Sequence, residues 1–193
     1  MIYEAVNFLV DELDAYMALQ FGTSNRYVTM VHMAEQDGGG SLVDAGKMGC
    51  ALVNVEEERV GKTHIPYGAP SAGQYALINP EIRLNLYLLF ASNPGNNNYE
   101  SALKLVANTV SFFQGKNEFN TTNSPSLDPA IDTLQLDLYS IPLEEQSYLW
   151  GAIGAKYMPS VVYKVRLIAI QDNRVLQTDA AINQVNPSVT VNN

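Results

Sequence analysis

The sequence predicts an α+β fold, in which a mixed or largely antiparallel sheet is flanked by helices on one side. Stretches of alternating apolar and polar residues indicate strands with one buried face, and stretches of helical periodicity lie between them. The 193 residues, 47% hydrophobic and 16% charged, provide enough apolar material for one core. We place this domain at residues 1–178 and an extended C-terminal arm at residues 179–193.

The first part of the chain predicts one amphipathic helix and two short strands. Apolar residues recur every fourth position over residues 2–21, at Ala5, Leu9, Leu13 and Met17, and Gly22 follows as a C-terminal stop. Strands are expected at residues 27–33 and 48–55. Residues 61–80 contain Gly and Pro and little periodicity, so they are expected to form a long loop.

The second part predicts strands that alternate with helices. Strict alternation of apolar and polar residues predicts strands at residues 81–90, 131–139 and 161–170. Helical periodicity predicts helices at residues 99–113, closed by Gly115, and at residues 143–156, opened by Pro142. Residues 117–129 are rich in Asn, Thr, Ser and Pro and are expected to form a loop.

Residues 179–193 are too polar for a core element but contain the β-prone Val185, Val189 and Val191. Two interpretations remain open for this arm. It adds a strand to a neighbouring chain, or it is a frayed terminus.

Charge and composition exclude several classes of protein. The formal net charge is -9 and there is no Lys- or Arg-rich run, so we expect no nucleic-acid partner. The start of the chain lacks a basic segment, and no stretch approaches 18 apolar residues, so we expect neither a signal peptide nor membrane insertion. The single cysteine, Cys50, lies in an apolar run and is predicted to be a buried hydrophobic residue rather than a reactive thiol.

No group of residues predicts an active site. His32 and His64 lack the spacing of metal ligands, and no G-x-S-x-G motif occurs. The Gly-Lys-Thr at residues 61–63 lacks the glycine that a phosphate-binding loop needs five positions earlier, where Glu56 stands. We therefore expect no catalytic residue, no cofactor and no metal.

Some residues are instead candidates for subunit contacts. Glu56 and Glu58 share one face of a strand. We interpret them as part of a solvated charge run or, together with Arg59, as a charged contact between subunits. A pair of catalytic acids is the less favoured alternative. Trp150 is interpreted as a core residue or as an interface anchor. The candidate interface residues are Glu56, Glu58, Arg59, Trp150, Lys156, Tyr157, Val185, Val189 and Val191.

Several motifs, in the same order, resemble those of a known family. They are MIYEAV at residues 1–6, VNVEEER at 53–59, NP at 79–80, LNLYLLF at 84–90, FFQGK at 112–116, NSP at 123–125 and LWGAIGAKYMPSVVYKVR at 149–166. The chain resembles, over roughly residues 1–175, the N-terminal domain of the cap proteins of extracellular and related contractile injection systems. These caps are similar to the tail terminators of contractile phages.

The resemblance implies a tail-terminator-like fold and a structural role. It implies a homo-hexameric ring that closes the distal end of the inner tube and sheath and ends their polymerisation. The expected partners are further copies of the chain and the tube and sheath subunits. Such particles are built in the bacterial cytoplasm, and some are then released. The alternative is a non-enzymatic adaptor or binding module of the same particle, which recruits cargo or baseplate parts.

Overall fold

The computed structural model describes residues 1–35, 40–58, 74–78, 83–169 and 175–180. Three helices and eight strands lie in these ranges. In chain order they are α1 (Ile2–Phe21), β1 (Val28–Met30), β2 (Met48–Glu57), β3 (Gln74–Ile78), β4 (Arg83–Ser92), α2 (Tyr99–Gly115), β5 (Glu118–Asn120), β6 (Ile131–Tyr139), α3 (Leu143–Ile153), β7 (Ser160–Ala169) and β8 (Val175–Ala180).

A six-stranded sheet has the strand order β1-β2-β4-β7-β6-β5. Only β1 and β2 are parallel; the other neighbouring strands in this sheet are antiparallel. β3 and β8 form a separate antiparallel pair. The predicted α+β class, with a mixed and largely antiparallel sheet, is therefore confirmed.

The main core lies between one face of the sheet and helices α1 and α2. Because side chains alternate along a strand, Leu86, Leu88 and Phe90 of β4 all point into it, and Leu9 and Leu13 of α1 meet them. The predicted helix α1 is confirmed. It ends at Gly22, whose φ of 62° is the left-handed conformation that glycine adopts most easily.

The third helix corrects the expectation that helices cover one side only. α3 contributes Trp150 to a second core on the opposite face, with Leu89 of β4, Val162 of β7 and Val43 of the β1–β2 connection. The physical reason is that β4 is apolar on both faces at its C-terminal end. Leu89 and Ala91 alternate with Leu88 and Phe90, so the second face also needs cover there.

Two predicted loops contain strands. Gln74–Ile78, inside the expected loop at residues 61–80, is β3 and pairs with β8. Glu118–Asn120, inside the expected loop at residues 117–129, is β5 and pairs with β6. Both predictions were wrong because these strands are too short to show periodicity. Residues 59–73 and 79–82 lie outside the described residues.

Several boundaries also differ from the prediction. β1 covers only Val28–Met30 of the expected residues 27–33, and α2 extends to Gly115, with Lys116 after it in an extended conformation. α3 ends at Ile153, because Gly154 adopts a φ of 74° and stops the helix before residue 156. β6 has the predicted bounds. Most of the predicted arm, residues 181–193, lies outside the described residues.

Candidate interaction site

The structure describes five of the nine candidate interface residues and places them in two groups. Glu56 lies near the C-terminal end of β2 and Glu58 directly follows the strand, whereas Trp150, Lys156 and Tyr157 lie in α3 and the segment after it. Arg59, Val185, Val189 and Val191 fall outside the described residues.

The first group is a polar network on the sheet face that is opposite to α1 and α2. The Tyr87 hydroxyl donates to Glu56 Oε2 at 2.8 Å, and Asn85 Nδ2 donates to Glu58 Oε2 at 3.2 Å. Because Asn85 and Tyr87 are two residues apart on β4, their carboxylate partners lie on the same face of β2, as alternation predicts. These contacts cross-link neighbouring strands.

An arginine extends this network toward the other edge of the sheet. Arg166 on β7 places Nε 3.7 Å from Glu58 Oε2, which is an ion pair but too long for a hydrogen bond. Its Nη1 donates to Gln135 Oε1 on β6 at 3.2 Å. Polar contacts thus join β2, β4, β7 and β6 on one face, and the two carboxylates serve as acceptors within the fold.

The hydrogen bond to Glu56, together with desolvation, raises the pKa of the Tyr87 phenol to about 12. The phenol therefore stays protonated near neutral pH and acts as a hydrogen-bond donor. A proton donor this weak is poorly matched to general acid chemistry at pH 7.

One member of the second group, Trp150, lines a groove beside α3. The groove has a volume of about 270 Å³ and lies between α3 and the ends of β6 and β7, with Leu89, Tyr139, Leu149 and Val162 among its lining residues. Tyr157 is exposed and stands edge-on to the Trp150 ring, with 5.8 Å between the centroids. A groove of this composition suits an apolar group of a protein partner.

Trp150 itself is only 4% exposed and belongs to the second core. Its burial favours the core-packing interpretation over a direct interface anchor. Local sequence patterns did not identify the exposed apolar residues at the end of β6 and on α3, which are Leu138, Tyr139, Leu143 and Tyr148. Leu138 has the strand alternation of a buried residue, so no local signal identifies it as exposed.

Two further observations concern chemistry. Cys50 is fully buried, as predicted, and burial raises the pKa of its thiol well above the ordinary value. Within the described ranges, no group of three or more His, Cys, Asp or Glu side chains is placed to hold a metal ion. Among the helices in these ranges, none is both long enough and apolar enough to cross a membrane.

The chain was also compared with known proteins. The family model described as the Pvc16 N-terminal domain matches residues 4–184. A solved structure of the sheath/tube terminator of an extracellular contractile injection system, PVC, in its extended state is similar, with a TM-score of 0.64 and 14% identity, covering 100% of this chain and 64% of that one. The anti-feeding prophage cap, a tube terminating cap, gives a TM-score of 0.53 and 12% identity, covering 84% of this chain and 56% of that one.

Comparison with curated proteins gives no match. The chain spans less than two thirds of the length of either structural neighbour. At these identities the two structures show a shared fold.

Proposed function

We propose, because this chain belongs to the Pvc16 N-terminal domain family, that it is a structural cap subunit of a contractile injection system. Copies of the chain form a ring that closes the distal end of the inner tube and sheath and ends their polymerisation. The observation that carries the proposal is the family match over residues 4–184. The fold shared with a sheath/tube terminator and with a tube terminating cap supports it.

The surface of the described structure supports an assembly role. Leu143 and Tyr148 on α3 and Tyr157 after it are exposed, and other residues of α3 line the groove. Clustered apolar side chains at a surface mark sites where proteins associate. A ring also requires two different surfaces on each subunit, because only head-to-tail contacts close into a ring of more than two copies.

The proposal assigns no catalytic residue. Glu56 and Glu58, the residues considered for an active site, accept hydrogen bonds from Tyr87 and Asn85 and so join β2 to β4. The E56Q/E58Q double variant tests this assignment: we expect stability to change and particle assembly to continue.

The proposed partners are further copies of the chain and the tube and sheath subunits. Arg59, Lys156 and Tyr157 are proposed as contacts, and the part of the arm beyond β8 as a strand donor through Val185, Val189 and Val191. Assembly takes place in the bacterial cytoplasm, and the chain then remains in the particle.

The test has two parts. Light scattering on the purified chain over a range of concentrations should report a closed ring, which head-to-tail contacts allow, of about six subunits, the number that the family resemblance implies. Tube and sheath subunits that assemble with the chain present should give particles of uniform length in electron micrographs, and without it longer and variable ones. A chain that stays monomeric at high concentration and does not alter particle length would contradict the proposal.

The groove beside α3 favours a second candidate, a monomeric adaptor that binds an apolar segment of a cargo or baseplate protein. Light scattering and particle length distinguish the adaptor from the ring-forming cap. An adaptor stays monomeric, binds its partner with a fixed stoichiometry and leaves particle length unchanged.

A further inference from the structure

Two strands of the six-stranded sheet have an open side. β1 pairs with β2 only at Met48–Cys50, and no described strand continues along that side over residues 51–55. β5 pairs with β6 only at residues 133–135, and no described strand continues along that side over residues 137–139. An open strand side carries unpaired N–H and C=O groups, which can pair with another chain.

An exposed leucine lies at each open side. Leu52 is 40% exposed and Leu138 is 53% exposed. The strand register places both in one row across the sheet, because Leu52 pairs with Leu88, Leu88 with Tyr163, and Tyr163 with Leu138. Directly paired residues share a face. The two leucines are therefore the exposed ends of an apolar row whose middle, Leu88 and Tyr163, is buried in the main core.

The strand directions favour a contact between these two sides. Three antiparallel pairings separate β2 from β6, so the two strands run in opposite directions. A second copy placed beside the first in the same orientation brings its β2 next to β6 in an antiparallel arrangement. Antiparallel pairing of an added strand allows the perpendicular hydrogen bonds of an ordinary sheet.

The main-chain groups of the two leucines also point toward this contact. The Cys50 carbonyl accepts from Val31 N on the β1 side of β2, and alternation directs the groups of Leu52 the same way. On β6, Leu136 N donates to Asn117 O on the β5 side, and alternation directs the groups of Leu138 there.

We infer that β6 of one subunit pairs with β2 of the next, with Leu138 opposite Leu52, so that the sheet continues from copy to copy. This inference rests on the ring proposed above and names the surface that holds it together. The contact joins two different edges head to tail, so each added copy offers the same edge to the next copy. The assembly closes into a ring when the rotation between neighbouring copies allows it. A two-fold contact between two β2 edges would stop at a dimer.

β1 and β5 confine the contact to a short segment. β5 lies beside Gln135, and the register places Gln135 in the same row as Glu56. The part of β2 beyond Val55 must therefore pass β5 instead of pairing with β6. Val55 N also already donates to Asn54 Oδ1 at 2.9 Å, so it is not available to a neighbouring strand. Leu52 is therefore the central position of the contact between β2 and β6.

Disulfide trapping tests this pairing. L52C and L138C are made singly and together in a C50A background. Within one chain the two positions are separated by three strand spacings, about 14 Å, which a disulfide cannot span. After mild oxidation, the double variant should give a covalent series up to the ring on a denaturing gel. A mixture of the two single variants should give dimers only, and each single variant alone should stay monomeric.

The outcomes separate this inference from the proposed function. Efficient dimers from one single variant alone would overturn the head-to-tail pairing. A double variant that forms a ring by light scattering but no covalent bonds would overturn this interface and leave the cap proposal intact. A chain that is monomeric by both measurements would contradict both.

A charge placed on the open side provides a second measurement. L138R should weaken assembly roughly tenfold or more, because the contact would bury an unpaired charge. The matched control is L19R, since Leu19 lies on α1 and is 81% exposed. Equal effects of the two substitutions on ring formation would overturn the inference.

Discussion

Among single residues, Gly49 occupies a position where packing leaves no room for a side chain. A Cβ atom there would lie 2.6 Å from Val43 Cγ2 and 2.9 Å from Val31 Cγ1. Both valines belong to the connection between β1 and β2, which folds back over β2 and joins the second core. The glycine therefore permits the close approach that covers this face of the sheet.

We expect G49A to destabilise the fold by about 1–3 kcal/mol, because the added methyl group overpacks this contact. Urea unfolding followed by circular dichroism measures the change. G151A is the control, since an added Cβ at that helical position meets open space. Equal urea midpoints for G49A and the unchanged chain would show that the connection between β1 and β2 shifts to accommodate the methyl group without loss of stability.

Replacing Trp150 distinguishes its two interpretations, as a core residue and as an interface residue. Because the ring is buried in the second core, W150A should lower the free energy of unfolding by about 3–5 kcal/mol, even at concentrations where the chain is monomeric. Y157A should have a small effect on folding, since Tyr157 is exposed. A W150A variant that unfolds like the unchanged chain but fails to assemble would support the interface interpretation.

The phenol of Tyr87 predicts a pH dependence of stability. Its pKa in the folded protein is raised from 10.0 to about 12, mainly by the hydrogen bond to Glu56. A raised pKa means that the protonated form is favoured by folding, so this contribution is complete below pH 10 and is lost as pH rises toward 12. We expect Y87F to reduce the fall in stability between pH 10 and pH 12, measured by denaturant unfolding; an unchanged slope would contradict the assignment.

Among the elements, α3 is the helix whose position local patterns did not predict. Its N-terminus follows Pro142, and its end is set by Gly154. The residues that decide its placement, Leu89 and Val162, are distant in sequence. The sheet face on which α3 lies therefore depends on which strands pair beneath the helix.

The end of α3 can be tested with two glycines that differ in backbone conformation. An added Cβ meets open space at both Gly154 and Gly115, but only Gly154 has a positive φ, of 74°. G154A should destabilise the protein by about 1 kcal/mol, whereas G115A should be neutral or slightly stabilising. Thermal unfolding of the two variants provides the comparison, and equal shifts would argue against a strained C-cap.

At the scale of the whole molecule, the C-terminal arm gives a prediction about assembly. Deletion of residues 185–193 should leave the melting temperature nearly unchanged, because the cores of the described structure lie in earlier elements. The same deletion should weaken docking on the neighbouring subunit or sheath, measured by co-sedimentation. Normal assembly of the shortened chain would identify the segment as a frayed end.

Much of the fold could be predicted from local patterns. Helix α1 and strand β6 have their predicted bounds, and the family resemblance of the sequence motifs is confirmed by the match over residues 4–184. These predictions succeed because periodicity and chain stops are properties of neighbouring residues. The polar network was predicted only as far as the shared face of Glu56 and Glu58. Its partners on β4 and β7 follow from strand register.

The sequence therefore established the fold class and the longer elements, which depend on patterns within one stretch of chain, and the family, which depends on the motifs and their order. The pairing of β3 and β5, the cover that α3 provides and the open sides next to Leu52 and Leu138 emerged only from the folded chain. A leucine in an alternating strand is buried or exposed according to which strands and helices pack beside it. Those neighbours come from distant parts of the sequence, so periodicity cannot identify them.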